Sequence, residues 1–361
     1  MHARFLSHFR GELTACRSLG EVEQLVIRSP IEVFANSANC AQAVNLLGRM
    51  KSTHPKAVSK LVLASSNPAI DFSPSELAQL CTGIAIGKLA SRIPANVMKQ
   101  LEHGHSNGSK LQGMDPKQLV WTLGSFSLLN QPAGWLCELI QHQLVTREGL
   151  VGQFTGNEFA LVMHYFDVFS FPNDQVLELF SKEIASREDL GDFKPSHFAL
   201  LLDSFSGEQE SNERSTPLYV HQLCKRISRE ICFQRRQELE SGGFAPRDLA
   251  MILNCFAEFN IRDRAICDAF SEAILKCPSL ENFTANDMGK ILGSLEHLDM
   301  VNAALVEQIM AEIMVREEEK EKRKANQLEE AEGEEAEEEE AEEQEEETLK
   351  RIAKTMRTNK T

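Results

Sequence analysis

The sequence predicts an all-α fold, a right-handed α-solenoid of about seven helix-turn-helix repeats over residues 13–317, followed by a disordered acidic tail. Three observations lead to this prediction. A Phe or Met recurs about once per 40 residues, apolar residues after it follow the helical period, and the same helix-start residues mark successive units. Because a helix pair of this size cannot bury its own apolar faces, neighbouring pairs must stack into a continuous core.

Six residues define position zero of the repeat, and they are separated by 42, 40, 39, 51 and 39 residues: Phe72, Met114, Phe154, Phe193, Phe244 and Phe283. The long interval contains "SGEQESNERST" (206–216), which we interpret as an extended loop. Apolar residues recur at positions +5, +8, +9 and +12, and position +6 is always small or β-branched. This pattern predicts the first helix of each unit, which we term the A helix.

The starts of the A helices are marked by capping residues. Position +1 supplies Ser73, Asp115, Thr155 and Thr284 as N-caps, with Lys194 and Ala245 as exceptions. Proline follows at position +2 in four units, where its missing N–H is not needed. Glu76 stands three residues after Ser73, so this pair is predicted to form a capping box.

Each unit then continues into a second amphipathic helix, which we term the B helix. Clear examples are predicted at 173–188, 262–277 and 301–317. Residues 33–66 are a seventh, more degenerate copy, as expected for a terminal unit that caps a stack. Periodicity alone does not distinguish this repeat from HEAT repeats. The 34-residue tetratricopeptide repeat is disfavoured, because its sequence signature is missing from the chain.

The repeated A helix, F-[ST]-P-x-[ED]-[LF]-A ending in F-x-x-F/L, resembles the heptatricopeptide and octotricopeptide repeat proteins of mitochondria and chloroplasts. It is also similar to the helical region of FAST-kinase-like and RAP-domain proteins. The resemblance covers residues 13 to about 315, including "LTACRSLGEVEQLV" and "AQAVNLLGRMKS". It implies a role in organellar RNA metabolism, or a place in an organellar ribosome. The RAP domain of that family is not found, and an acidic tail stands at its place.

The charge distribution weakens the case for phosphate binding by charge alone. The chain carries a net charge of −16, of which −8 comes from residues 316–361 and −8 from the body. Nine cysteines without a C-x-x-C pair favour free thiols in a reducing compartment over a disulfide scaffold or a zinc site. With no run of eighteen apolar residues, no membrane span is expected.

The N-terminus is basic and amphipathic, with no acid before Glu12. We interpret residues 1–12 as a possible mitochondrial presequence, which predicts a location in the mitochondrial matrix. The alternative is a basic first helix of the folded body.

RNA-binding candidates lie in the densest basic stretch, "KRISREICFQRRQ" (225–237). Five cationic side chains in this stretch are candidates for phosphate contacts: Lys225, Arg226, Arg229, Arg235 and Arg236. An equal alternative is that they form a solvated helix face.

Position +10 of the A helix varies from unit to unit, as modular base recognition requires. The candidates on this repeat face are Thr82, His164, Asp203 and Asn254. Gly124 and Gly293 occupy the same position, so we favour the alternative that only small residues fit between adjacent A helices.

The sequence contains no recognisable catalytic motif or cofactor-binding motif. We therefore expect a protein that is not an enzyme and has no cofactor. His103 and His105 lack a third ligand at metal-site spacing, which favours a surface loop over a metal site. The main functional hypothesis is therefore a non-catalytic mitochondrial protein that binds RNA or belongs to a ribonucleoprotein, with proteins of a larger complex as further partners. The alternative is a protein–protein adaptor scaffold without RNA contact.

The tail has two parts of opposite charge. Residues 318–347 are acidic and of low complexity, so disorder is expected. Residues 348–361 are basic and place Leu349, Ile352, Ala353 and Met356 on one helical side. They suggest either a docking element that folds on a partner or a plain solvated tail.

Overall fold

The computed structural model of the chain describes residues 2–102, 110–172, 174–206 and 216–323. Within these ranges the fold is all-α, with no strand. In chain order the α-helices are α1 (His2–Ala15), α2 (Leu19–Arg28), α3 (Ser37–Arg49), α4 (Pro55–Ser65), α5 (Pro74–Gly87), α6 (Ala95–Glu102), α7 (Pro116–Leu128), α8 (Gly134–Thr146), α9 (Gly156–Val168), α10 (Asp174–Ser186), α11 (Pro195–Ser206), α12 (Leu218–Arg229), α13 (Arg236–Glu240), α14 (Pro246–Glu258), α15 (Arg264–Leu275), α16 (Ala285–His297) and α17 (303–323).

Helices pack mainly on the helix of the same kind in the next unit. The A helices contact one another in the order α3, α5, α7, α9, α11, α14 and α16. The B helices follow a parallel order, with α6 on α8, α8 on α10, α10 on α12 and α13 on α15. The charged extension of the last predicted helix is helical over its described residues, 316–323.

The predicted core positions are buried. Position zero is at most 4% exposed in all six units, and the +12 residues Phe126, Phe166 and Phe256 are fully buried. Large rings therefore fill the space between the A and B helices of consecutive pairs.

The predicted caps are also confirmed. Ser73, Asp115, Thr155 and Thr284 each form a capping box with the residue three positions later. Each cap satisfies amides that the first helical turn leaves without partners.

The A helices also end in the same way, which the sequence analysis missed. The residue at position +16 adopts a left-handed conformation with φ between 49° and 56° at Lys88, Asn130, Ser170, Asn260 and Asp299. None of them is glycine, the residue that prefers this conformation. After the turn, an amide bonds back into the helix, as Phe171 N–H does to Phe166 O at 2.9 Å. The turn directs the chain into the B helix of the same unit.

A recurring arginine closes three of the units, a second feature the sequence analysis missed. The arginine 33 residues after position zero donates to the position-zero carbonyl: Arg147 to Met114 at 2.6 Å, Arg187 to Phe154 at 2.7 Å and Arg316 to Phe283 at 2.6 Å. The end of each B helix is thereby tied to the start of its own A helix. These hydrogen bonds satisfy carbonyls in the turn before the A helix.

Glycines bring α3 and α5 into backbone contact. A Cβ built on Gly83 would lie 2.6 Å from Asn45 Cα, and one on Gly87 would lie 2.5 Å from Gly48 Cα. No side chain fits in such a gap, so Gly83 and Gly87 are packing positions.

The N-terminal helix packs on the body. In α1, Phe9 and Leu13 are 2% and 1% exposed, and the ring of Phe9 meets that of Phe34 edge-on. This packing agrees with the alternative of a first helix of the folded body, while the presequence remains a prediction. Among the residues that the structure describes, every helix falls short of the length and apolarity that crossing a membrane requires.

Candidate functional site

The basic stretch 225–237 folds around a buried carboxylate. Glu230 is 3% exposed and lies between two guanidinium groups, with Arg226 Nη1 at 3.0 Å from Oε2 and Arg235 Nε at 3.3 Å from Oε1. A carboxylate at this depth requires such partners, because a buried unpaired charge is costly. Glu238 supplies a second carboxylate, with Oε2 at 3.3 Å from Arg235 Nη1, so the two charges of Arg226 and Arg235 are balanced within the fold.

A π-helical turn, Glu230–Gln234, makes this arrangement possible. The turn brings Arg235 back to Glu230, five residues earlier, and leads into the short helix α13. Arg235 also donates to Leu190 O at 2.7 Å, and its guanidinium lies 5.5 Å from the centre of the Phe198 ring. Arg187 lies over Phe159 in the preceding unit in the same way, so Arg235 has the structural role of the recurring arginine in the longest unit.

The other three basic candidates lie nearer to solvent. Arg236 is half-buried and bonds to Glu240 at 2.9 Å and Glu272 at 2.6 Å. Lys225 and Arg229 are exposed and one turn apart on α12. Three of the five predicted phosphate contacts are thus in ion pairs, and Lys225 and Arg229 remain the better candidates.

A groove lies on the A helices of the first four units. It has a volume of about 430 Å³ and crosses α3, α5, α7 and α9. Apolar side chains make most of its wall and polar groups sit among them: Asn45, Arg49, Gln79, Thr82, Ile86, Val120, Trp121, Gly124, Ser125, Leu128, Leu161 and Tyr165. We term it the A-face groove.

Two aromatic rings and two cations shape the A-face groove. Trp121 is 36% exposed, and Lys117 Nζ lies 4.9 Å from the centre of its ring. Tyr165 is half-buried, and desolvation raises the pKa of its hydroxyl. Arg49 is exposed and belongs to the wall. Flat rings beside cations can bind a base with its phosphate, or an apolar segment with its carboxylates.

Position +7 is a sequence signal for the groove that the analysis of position +10 missed. Gln79, Trp121 and Leu161 occupy position +7 in three successive units, and all three line the groove. Position +7 stands beside the core stripe, so an apolar residue there leaves apolar surface exposed.

The +10 residues divide into different environments. Thr82 and Gly124 line the groove, and a Cβ on Gly124 would lie 2.7 Å from Tyr165 Oη, as the packing interpretation expects. The Thr82 hydroxyl donates to Ala78 O at 2.7 Å. His164 is half-buried, with its ring 5.5 Å from that of Tyr165. Base recognition by these residues remains a prediction.

Farther along, the A helices become acidic. Partial desolvation raises the pKa of the Asp203 carboxyl; Lys290 acts against this, while the carboxylates of Glu258 and Asp167 add to it. Asn254 donates to Glu258 at 2.7 Å. The carboxylates of α9, α11 and α14 would repel the phosphates of an RNA that followed the whole face.

His103 and His105, for which the sequence favours a surface loop over a metal site, lie outside the described residues. Across the described ranges, no three His, Cys, Asp or Glu side chains come together in a way that could hold a metal ion. Comparison of the chain with protein-family models and with curated proteins gives no match.

Proposed function

We propose that this chain is a non-catalytic, right-handed α-solenoid of about seven helix pairs that acts in organellar RNA metabolism. In this proposal it is a component of a ribonucleoprotein, such as a mitochondrial ribosome, and resides in the mitochondrial matrix. The consecutive contacts among the A helices and among the B helices support the solenoid. The resemblance of the repeated A helix to organellar repeat proteins supports the compartment and the class of partner.

The observation that carries RNA binding is the A-face groove. Trp121 offers an exposed ring and Tyr165 a half-buried one; Arg49 belongs to the wall, Lys117 lies beside the Trp121 ring, and these two cations are the proposed phosphate contacts. Stacking of a base on an aromatic side chain contributes about 1–3 kcal/mol and tolerates any base. A short single-stranded segment of RNA is therefore the proposed ligand of the groove.

A protein–protein adaptor without RNA contact is the second candidate. Two observations favour it: Arg226 and Arg235 are balanced by Glu230, and carboxylates face outward from α9 to α14. An adaptor would use the same groove for apolar side chains of a partner.

Titration of the purified chain with single-stranded RNA at several salt concentrations separates the two. For RNA binding, Trp121→Ala should weaken binding by about tenfold, within the range expected for one stacked base. Arg49→Ala should flatten the salt slope by up to about one unit, because one phosphate contact is lost. Leu63→Ala is the matched control, since Leu63 is an exposed apolar residue of α4 away from the groove.

The basic stretch is tested with the double variant Lys225→Ala/Arg229→Ala. These side chains are exposed, so the fold should be unaffected. If RNA affinity depends less steeply on salt in this variant, and Trp121→Ala binds RNA as the wild type does, then RNA binds at α12 and not in the groove. A chain that binds no RNA at low salt and does not crosslink to RNA in mitochondria would be an adaptor.

A further inference from the structure

The last A helix exposes a surface that every preceding A helix buries. Position +6 packs against the next A helix and is at most 3% exposed in five units, at Ala78, Val120, Ala160, Ala199 and Ala250. Its equivalent in α16, Gly289, is exposed, and a Cβ added there would meet nothing within 4 Å. Leu292, at the otherwise buried position +9, is half-buried.

The last B helix differs in the same way from α10 and α15. Position +27 is 1% exposed at Ser181 in α10 and 2% exposed at Ser271 in α15, whereas it is half-buried at Gln141 in α8 and exposed at Lys99 in α6. Its equivalent in α17, Met310, is 48% exposed. Two further apolar side chains of α17, Val306 and Ile313, are only half-buried.

We term this surface the open end; it consists of Gly289, Leu292, Val306, Met310 and Ile313. It continues the stacking interface of the preceding units, and it is apolar where a terminal unit normally has a polar outer face. The geometry of the other units therefore defines what fits it, which is a further amphipathic helix.

The rim of the open end is acidic. Glu296 on α16 and Glu307, Glu317 and Glu318 on α17 are exposed, against two nearby cations, the half-buried Lys290 on α16 and the exposed Lys320 on α17. A second copy of this chain would bring the same carboxylates against each other, which costs free energy. Charge complementarity therefore selects a basic helix.

The chain itself contains a segment of that composition. Residues 348–360, "TLKRIAKTMRTNK", have five Lys and Arg and no acid. Leu349, Ile352 and Met356 are spaced so that a helix would present them as one stripe. The five basic residues lie among the remaining positions, where they would meet the acidic rim.

The tether between α17 and this segment is long enough for it to fold back. Residues 324–347 are 24 in number, and a flexible chain of that length spans roughly 27 Å. Met310 lies 13 residues before the end of the described helix, about 20 Å along its axis. The segment therefore reaches the open end without strain.

We propose that residues 348–360 pack as a helix against the open end of their own chain, with Leu349, Ile352 and Met356 on Gly289 and Met310. The array is then closed at this end by a basic cap. The inference does not depend on whether the A-face groove binds RNA.

Thermal unfolding of the full chain tests the cap. The double variant Ile352→Asp/Met356→Asp puts charge into the apolar stripe and should lower the unfolding midpoint by about 2–4 °C. The matched control Thr355→Asp/Thr358→Asp makes the same change in charge outside the apolar stripe and should leave the midpoint closer to that of the wild type. Equal midpoints for the two double variants would overturn the proposal.

Disulfide crosslinking identifies the occupant. Met310→Cys and Met356→Cys are combined in a chain whose partly exposed thiols are removed by Cys16→Ser and Cys277→Ser. A disulfide within one chain, formed at the same yield at any protein concentration, is the expected result. A covalent dimer would show that a second copy covers the open end, and no disulfide would show that the segment docks elsewhere; either result overturns the proposal.

Discussion

Arg187, just after α10, donates a 2.7 Å hydrogen bond to the carbonyl of Phe154, the residue at the start of the same unit. Its guanidinium also lies 4.8 Å from the centre of the Phe159 ring. One side chain therefore holds the end of a B helix on the start of its own A helix.

Arg187→Ala should destabilise the chain by about 1–3 kcal/mol, because the carbonyl of Phe154 loses its partner. Urea unfolding followed by circular dichroism measures the change. The control is Arg264→Ala, since the Arg264 side chain is 86% exposed and its loss should leave stability unchanged. Equal stability of the two variants would show that the arginine is dispensable to the unit.

Gly83→Ala should destabilise the contact between α3 and α5. The new Cβ would lie 2.6 Å from Asn45 Cα, so two backbones must move apart, at a cost of about 1–3 kcal/mol. Gly20→Ala in α2 is the control, because a Cβ at Gly20 meets nothing within 4 Å. The same unfolding experiment should find the control neutral or slightly stabilised; a neutral Gly83→Ala would contradict the close contact.

Ser170→Gly should stabilise the turn after α9. Ser170 has φ of 49°, a conformation that glycine adopts without the strain an L-residue carries. A gain of up to about 1 kcal/mol is expected, reduced by the greater chain entropy of glycine in the unfolded state. Ser66→Gly, at a right-handed helix end with φ of −82°, should destabilise instead. Urea unfolding should therefore show a higher free energy of unfolding for Ser170→Gly and a lower one for Ser66→Gly; the same sign for both would contradict the prediction.

His197 should make the stability of the chain depend on pH. Desolvation, with the nearby Lys194 and Arg235, lowers the pKa of the imidazole, while Asp192 opposes the shift. Its Nδ1 accepts the Lys194 amide at 3.0 Å, which also requires the unprotonated nitrogen. Because the folded state prefers neutral His197, its contribution is fully present above the unfolded pKa of about 6.5 and is lost as the pH falls through the lower folded value.

The variant His197→Gln isolates this effect. Glutamine at the same position closes a capping box in α7, where Gln118 bonds to Asp115, so the local structure should be retained. Between pH 7 and pH 5, the free energy of unfolding should fall more for the wild type than for the variant. Identical pH profiles would show that His197 does not titrate differently in the folded state.

Local signals predicted the helices well, because capping residues act on neighbours in sequence. Ser73 and Glu76 are three residues apart, and their capping box needs only a helix start. The A and B helices and the burial of residues such as Phe126 followed from the same periodicity.

The ion pairs within the basic stretch 225–237 could not be predicted by counting charges. Glu230 pairs with Arg235 only because a π-helical turn shifts the helical register by one residue. The A-face groove was missed for another reason. Trp121 and Tyr165 come from different units, and the width of the space between them depends on how closely α7 and α9 approach at Gly124.

The arginine that ties a B helix to its own A helix makes each pair a self-contained module. The unit that begins at Phe193 has a longer connection between its A and B helices. There Arg235 bonds to the turn before the A helix, as Arg187 does in the preceding unit. Insertions within a pair therefore leave the junctions between pairs intact. Natural boundaries for recombination lie a few residues before position zero, ahead of Gly152 and Leu190, because Arg187 also bonds to Gly152 O and Arg235 bonds to Leu190 O.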